Sequence, residues 1–157
     1  MTTTIRPITP ADYRLLDDFL YEAIFIPEGV EQPDRSIIEH PSLRPFVDQF
    51  GQFPGDYGVA AEVNGNVVGM AWSRIRKQFG HVDDETPSLS ISLYPEFRGQ
   101  GIGTKLMHAL HDTLRTAGYR RASLSVQRAN RARRLYERLG YNTVREDGDE
   151  LIVVCRL

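Results

Sequence analysis

The stretch from Ser88 to Gly118 constrains this chain more than any other. A strand-like run, Ser88 to Leu93, is broken by Pro95, passes through Arg98-Gly99-Gln100-Gly101-Ile102-Gly103-Thr104 and continues into an amphipathic helix. A strand that enters a helix through a glycine-rich turn presents unpaired backbone N–H groups at the helix start, and such a place binds phosphate. Glycines at three alternate positions let the main chain approach a ligand and take positive φ where needed, and Thr104 adds a hydroxyl donor. A pyrophosphate is the expected guest.

The residues around the turn narrow which pyrophosphate. A nucleoside-triphosphate loop needs Gly-Lys-Ser/Thr at its end, whereas this one ends Ile102-Gly103-Thr104 with Lys105 on the wrong side. A dinucleotide fingerprint needs a last glycine where Thr104 stands, and a carboxylate about twenty residues on, where Tyr119 to Val126 has none. Both readings fail.

Composition sets the frame. With 157 residues, a net charge of -2 and a pI near 6.1, the expectation is one domain over 1–157 with a sizeable core and no overall pull toward nucleic acid or anionic membrane. No apolar run approaches a membrane span, and Met1-Thr2-Thr3-Thr4-Ile5-Arg6 lacks the apolar core of a signal peptide, so a cytoplasmic chain is expected. Cys155, the single cysteine, lies in an apolar run and reads as a buried reduced thiol.

In chain order, Thr4 to Ile8 is a strand candidate and Thr9-Pro10-Ala11-Asp12 a helix entry. Leu16, Phe19, Leu20, Ala23 and Ile24 recur at helical spacing before Pro27. From Glu28 to Pro54 four prolines alternate with apolar anchors, which predicts one or two short helices. Tyr57 to Val63 and Asn66 to Ile75 flank Asn64-Gly65, a hairpin signal. After Ser88 to Leu93 and the glycine turn, a helix buries Leu106, Met107, Leu110 and Leu114 and ends at Gly118. Arg121 to Gln127 is a strand, Asn130 caps a short helix closed by Gly140, and Tyr141 to Arg145 with Leu151 to Arg156 forms a hairpin about Asp147-Gly148. The predicted order is β-α-α-β-β-β-α-β-α-β-β, an α/β fold with a mixed sheet flanked by helices, in which Ser88 to Gln127 is a parallel crossover.

The glycine turn resembles the cofactor-binding motif of the GNAT superfamily of N-acetyltransferases, Arg/Gln-x-x-Gly-x-Gly/Ala between a strand and a helix. Arg98, Gly101 and Gly103 fill those positions, and Gly99 and Ile102 are also usual choices. Downstream, Asn130-Arg131-Ala132-Arg133-Arg134-Leu135-Tyr136-Glu137-Arg138-Leu139-Gly140-Tyr141 resembles the family's closing signature, Asn and Ala-x-x-Leu-Tyr before Leu-Gly-Phe/Tyr. The two motifs stand in the family's order and spacing, and the predicted topology matches along essentially the whole chain.

The resemblance implies the GNAT (acyl-CoA N-acyltransferase) fold and transfer of an acetyl group from acetyl-CoA to a primary amine, without a metal. It implies that the pantetheine arm lies between two splayed strands, Ile91, Ser92 and Leu93 on one side and Leu124 to Val126 on the other. The Leu93 amide becomes the candidate oxyanion donor. The diphosphate falls to Arg98, Gly99, Gln100, Gly101, Ile102, Gly103 and Thr104, with Asn130 and Arg133 also on the cofactor side. Tyr136 is the candidate proton donor to the thiolate, since a phenol with ordinary pKa about 10 is protonated at pH 7. Its alternative role is packing beside Leu135 and Leu139.

The general base departs from the simplest family pattern, because Ser88 to Leu93 carries no glutamate. Glu28, Glu31, Glu62 and the Asp83-Asp84-Glu85 loop remain candidates, each otherwise a solvated carboxylate. The seven arginines from Arg120 to Arg138 read as a solvated face, one or two of them placed for the ribose phosphate, and not as a nucleic-acid patch, because core residues interrupt them and aromatics do not interleave. His81, His108 and His111 have no metal-ligand spacing. The acceptor is a small-molecule amine or a peptide or protein amine. An acyl-CoA-binding sensor of the same fold is the alternative to an enzyme, and a homodimer accords with proteins of similar sequence.

Overall fold

The computed structural model describes residues 2–77 and 80–157, so Met1 of the N-terminal stretch lies outside the described residues. Among those, seven strands form one mixed sheet in the order β1-β2-β3-β4-β5-β7-β6. They are β1 (Thr3–Pro7), β2 (Tyr57–Val63), β3 (Asn66–Arg74), β4 (Ser88–Leu93), β5 (Arg121–Gln127), β6 (Asn142–Asp147) and β7 (Glu150–Arg156), with helices α1 (Leu16–Ala23), α2 (Ile102–Thr116) and α3 (Arg133–Arg138) between them. Every neighbouring pair is antiparallel except β4 and β5, which α2 joins by a crossover.

Period-two alternation sorts the side chains onto two faces. Ala122, Leu124 and Val126 of β5 and Leu151, Val153 and Cys155 of β7 pack with Leu106, Met107, Leu110 and Leu114 of α2. Those four α2 residues are fully buried, worth roughly 1.5–3 kcal/mol apiece. The opposite face holds Ala60, Met70 and Trp72 against Leu16, Phe19 and Leu20 of α1. Gly118, at φ +96°, ends α2 by letting Tyr119 N–H reach Leu114 C=O at 3.0 Å.

The predicted hairpins form. Asn64 and Gly65 take φ of 52° and 79°, as a two-residue type I′ turn requires. The second hairpin turns one residue later than expected, at Gly148-Asp149, and its strands begin at Asn142 and Glu150. Two further expectations change. Pro10–Leu15 is a 3₁₀ turn leading into α1, and the segment after Glu28 contains 3₁₀ turns at Arg35–Glu39 and Arg44–Phe46 where short helices were expected. Prolines at 33, 41, 45 and 54 interrupt the segment every few residues, each removing a backbone donor.

That segment is held by anchors the sequence did not reveal. Trp72 Nε1 donates to Phe46 C=O at 2.9 Å. The fully buried Arg74 guanidinium bonds both Asp56 oxygens at 3.0 and 3.1 Å, Pro45 C=O at 3.1 Å and Asp48 C=O at 2.6 Å, and lies over the Phe50 and Phe53 rings.

Candidate active site

The sheet opens between its two parallel strands. β4 and β5 are in register at Ser88↔Ser123 alone, where Ser123 N–H donates to Pro87 C=O at 2.9 Å. Hydrogen-bonded pairs alternate along an antiparallel ladder. Tyr94 N–H meets Val68 C=O at 3.0 Å, so Ser88, Ser90 and Ser92 direct their main-chain groups at β3, while those of Leu89, Ile91 and Leu93 face β5. On β5, Arg128 N–H meets Asp149 C=O at 2.8 Å, and by the same alternation Ser123, Ser125 and Gln127 face β4. Past Ser123 the parallel ladder stops, and the N–H groups of Ile91, Leu93 and Ser125 point into the opening. The separation expected between Ile91–Leu93 and Leu124–Val126 is therefore present.

Within the expected β4 trio the roles divide. Ile91 and Leu93 offer main-chain groups to the opening, whereas Ser92 is turned to β3 and its hydroxyl donates to Phe19 C=O at 2.6 Å. Gly80 fixes the closed end of the opening. Its carbonyl lies 3.0 Å from Ser88 Oγ and 2.5 Å from Ser123 Oγ, and a Cβ there would come within 3.0 Å of Ser125 N. Only glycine fits so close to a neighbouring backbone.

The glycine turn leads directly from this opening into α2. Gly99 and Gly101 take φ of 73° and 83°, and Gly101 is the N-cap residue, so two of the three glycines are needed for conformation. Gly103 is helical; a Cβ there would stand 3.7 Å from a Leu135 methyl and 3.9 Å from Ile91 and Leu93 methyls, which is ordinary contact. Those distances bring the first turn of α2, the end of β4 and α3 together. Lys105 is the first residue of α2 to close onto the N-cap, its N–H meeting Gly101 C=O at 3.3 Å, and the N–H groups of Ile102, Gly103 and Thr104, without a partner among the described residues, give this end its positive dipole. Gln100 Nε2 closes the turn onto Glu96 C=O at 3.1 Å. The Arg98 guanidinium bonds Leu93 C=O at 3.1 Å and Glu22 at 3.3 Å, so it ties α1 to the end of β4.

Tyr136 is buried, its ring edge-on to Tyr141 at 6.0 Å between centroids. Burial pushes its hydroxyl up to about 12, and that hydroxyl forms no hydrogen bond among the described residues. It lines a small pocket with Val126, Arg133 and Thr143. Asn130 shapes the entry to α3 from two residues upstream of the N-cap, its Oδ1 accepting Ala132 N–H at 2.9 Å. Arg133 is drawn back onto Arg128 C=O at 2.7 Å. Behind Tyr141, buried His111 places Nε2 2.7 Å from the Tyr141 hydroxyl, and burial lowers its pKa to about 4. Cys155 is buried, its thiol 3.3 Å from Leu139 C=O.

The carboxylates weighed from sequence are exposed or engaged. Glu62 bonds Arg6 and Asp83 bonds Arg121. Asp84 lies 3.5 Å from His81; Glu28, Glu31 and Glu85 are exposed. A different carboxylate reaches the site, since Glu150 Oε2 accepts Ser125 Oγ at 2.5 Å. Nothing in the sequence signals it, because the contact depends on the register Gln127↔Glu150 between β5 and β7. No group of His, Cys, Asp or Glu suited to a metal ion occurs among the described residues, and no helix there is long and apolar enough to cross a membrane.

A strand opening that runs into a glycine-capped helix, with a buried tyrosine on the following helix, defines a class of acyl-group-transferring fold. Residues 20–141 match the model of the acetyltransferase (GNAT) family, and the chain belongs to that family. It is 29% identical over 119 residues to a mycothiol acetyltransferase of Propionibacterium freudenreichii, covering 75% of this chain and 38% of that protein. It is 32% identical over 81 residues to a [ribosomal protein bS18]-alanine N-acetyltransferase of Haemophilus influenzae, covering 52% of this chain and 51% of the relative. The chain thus spans about half or less of the length of these two relatives. In fold it is similar to the PaiA N-acetyltransferase of Thermoplasma acidophilum, solved with coenzyme A, at TM-score 0.74 and 18% identity over the whole of both chains.

Proposed function

We propose that the chain transfers an acetyl group from acetyl-CoA to a primary amine. The observation that carries this reading is the opening between β4 and β5, where the N–H groups of Ile91 and Leu93, without a partner among the described residues, lead to the N–H groups at the start of α2. An extended amide-bearing arm fits the opening as an added strand, and a diphosphate fits the turn from Arg98 to Thr104, where backbone donors and the helix dipole favour anions. Coenzyme A joins those two features in one molecule.

The chain's own residues then divide the chemistry. Leu93 N–H donates to the thioester oxygen as negative charge develops there, a role that needs no side chain. Tyr136 stays protonated through the physiological range, because burial has raised its pKa, and donates to the departing sulfur. Gly103 keeps α3 against β4, with Leu135 beside Tyr136 at that contact. Asn130 holds the entry to α3, and Arg133 lies at its rim for the nucleotide end of the cofactor.

The acceptor is a small amine or a peptide amine. The similar proteins include a mycothiol acetyltransferase and an enzyme acting on an alanine of a ribosomal protein, which supports either class. Release of free thiol from acetyl-CoA across a panel of amines tests the reading. Amine-dependent release that Tyr136→Phe lowers about 10-fold or more, with folding intact, is the expected result. Coenzyme A binding without release with any amine leaves a binding module and contradicts transfer.

A further inference from the structure

We propose that Ser125 and Glu150 form the acceptor-amine site, Ser125 receiving the ammonium proton and Glu150 taking the serine proton in turn; this rests on the acetyl-transfer reading above. Ser125 Oγ donates to Glu150 Oε2 at 2.5 Å, and both residues are half-buried. Ser125 belongs to the β5 edge whose N–H faces the opening. Its side chain lies on the face opposite α2, as does that of Glu150, whose register partner is Gln127. An acceptor that approaches from this face meets Ser125 at the level where the two strands separate.

The surroundings suit an incoming cation. Among the described residues no arginine or lysine pairs with Glu150, whereas Glu62 and Asp83 each carry an arginine partner. The rest of the same strip is lined by small hydroxyl residues. Ser92 is covered by α1 through Phe19 C=O, and Ser123 by Gly80; Ser90 and Ser125, between them, keep partial exposure. An ammonium brought to Ser125 therefore supplies the positive charge that Glu150 otherwise lacks.

R–NH3+ gives a proton to Ser125 Oγ as the serine O–H proton passes to Glu150 Oε2, leaving a neutral amine and a neutral carboxylic acid. The amine lone pair forms the C–N bond at the thioester carbonyl, the C–S bond breaks, and the sulfur leaves as thiolate and takes a proton from Tyr136. The new amide sheds its second N–H proton to water; Glu150 and Tyr136 then exchange with solvent.

Ser125→Ala, Glu150→Gln and Glu150→Asp in the full chain, assayed at pH 7 with the best acceptor amine and its β-fluorinated analogues of graded basicity, test this. An alkylamine near pKa 10.4 is neutral in only about one molecule in several thousand at that pH, whereas the β-trifluorinated analogue is largely neutral already. The expected result for Ser125→Ala and Glu150→Gln is a fall in kcat of about 100-fold for the most basic amine, shrinking to a few-fold for the least basic, with KM for acetyl-CoA unchanged. Glu150→Asp recovers part of the loss. Equal losses along the series make the contact structural and overturn the proposal, as does full turnover by the two variants. No thiol release by the unaltered chain with any amine overturns the acetyl-transfer reading and this proposal together.

Discussion

Ser88 and Ser123 stand hydroxyl to hydroxyl at 3.1 Å, at the register pair where β4 and β5 meet, and both lie within hydrogen-bonding distance of Gly80 C=O. Two buried hydroxyls and one carbonyl thus close the sheet at the point beyond which it parts. The opening has a fixed apex, and the cofactor reading depends on it.

Because both serines are buried, Ser88→Ala and Ser123→Ala each remove a hydrogen bond that water does not replace. Each substitution is expected to cost about 1–2 kcal/mol in urea unfolding. A double-mutant cycle should return a coupling of at least about 0.5 kcal/mol; strict additivity contradicts the shared bond.

The three glycines of the turn are not equivalent. Gly101→Ala forces a side chain into φ of 83° and is expected to destabilise the fold by about 1–2 kcal/mol and weaken coenzyme A binding. Gly103→Ala places its methyl at ordinary contact distances and should change thermal stability by less than half as much. Differential scanning calorimetry of the two variants checks the order; the reverse order contradicts it.

Arg74 and Asp56 form a buried pair, 0 and 1% exposed at their side chains, that fastens residues 45 to 56 to β3. Asp56→Ala strands the guanidinium, and a loss of about 3–5 kcal/mol is expected. Denaturant titration reads it. A loss under 1 kcal/mol would mean that the loop's own carbonyls hold the arginine without the carboxylate.

His111 titrates well below its ordinary value because burial disfavours its charged form, with Arg115 adding repulsion. As pH falls, the unfolded chain takes up the proton first, from about 6.5, while the folded chain resists to about 4. The stability that neutral His111 contributes is therefore complete above pH 6.5 and lost progressively toward pH 4. Melting temperatures of the wild type and His111→Gln across that window should converge as pH falls; a constant gap contradicts the assignment.

Much of this architecture was legible in the sequence where physics acts locally. Asn64-Gly65 announced its turn by needing positive φ twice, the leucines of α2 announced a buried face by their spacing, and the two motifs announced the family. What stayed hidden depends on distant segments meeting. The partners of Arg74 depend on Asp56 and the 45–48 carbonyls closing over it, and the contact of Glu150 with Ser125 depends on the β5–β7 register. The prolines after Glu28 predicted breaks but not the 3₁₀ form of the pieces between them.

The most direct measurement is a calorimetric titration of the chain with coenzyme A beside one with pantetheine, which keeps the amide arm and lacks the diphosphate. If main-chain donors from Arg98 to Thr104 hold the diphosphate and the opening holds the arm, coenzyme A binds and pantetheine binds at least about 100-fold more weakly, roughly 3 kcal/mol. Equal affinity for the two ligands, or no heat with coenzyme A, contradicts the account.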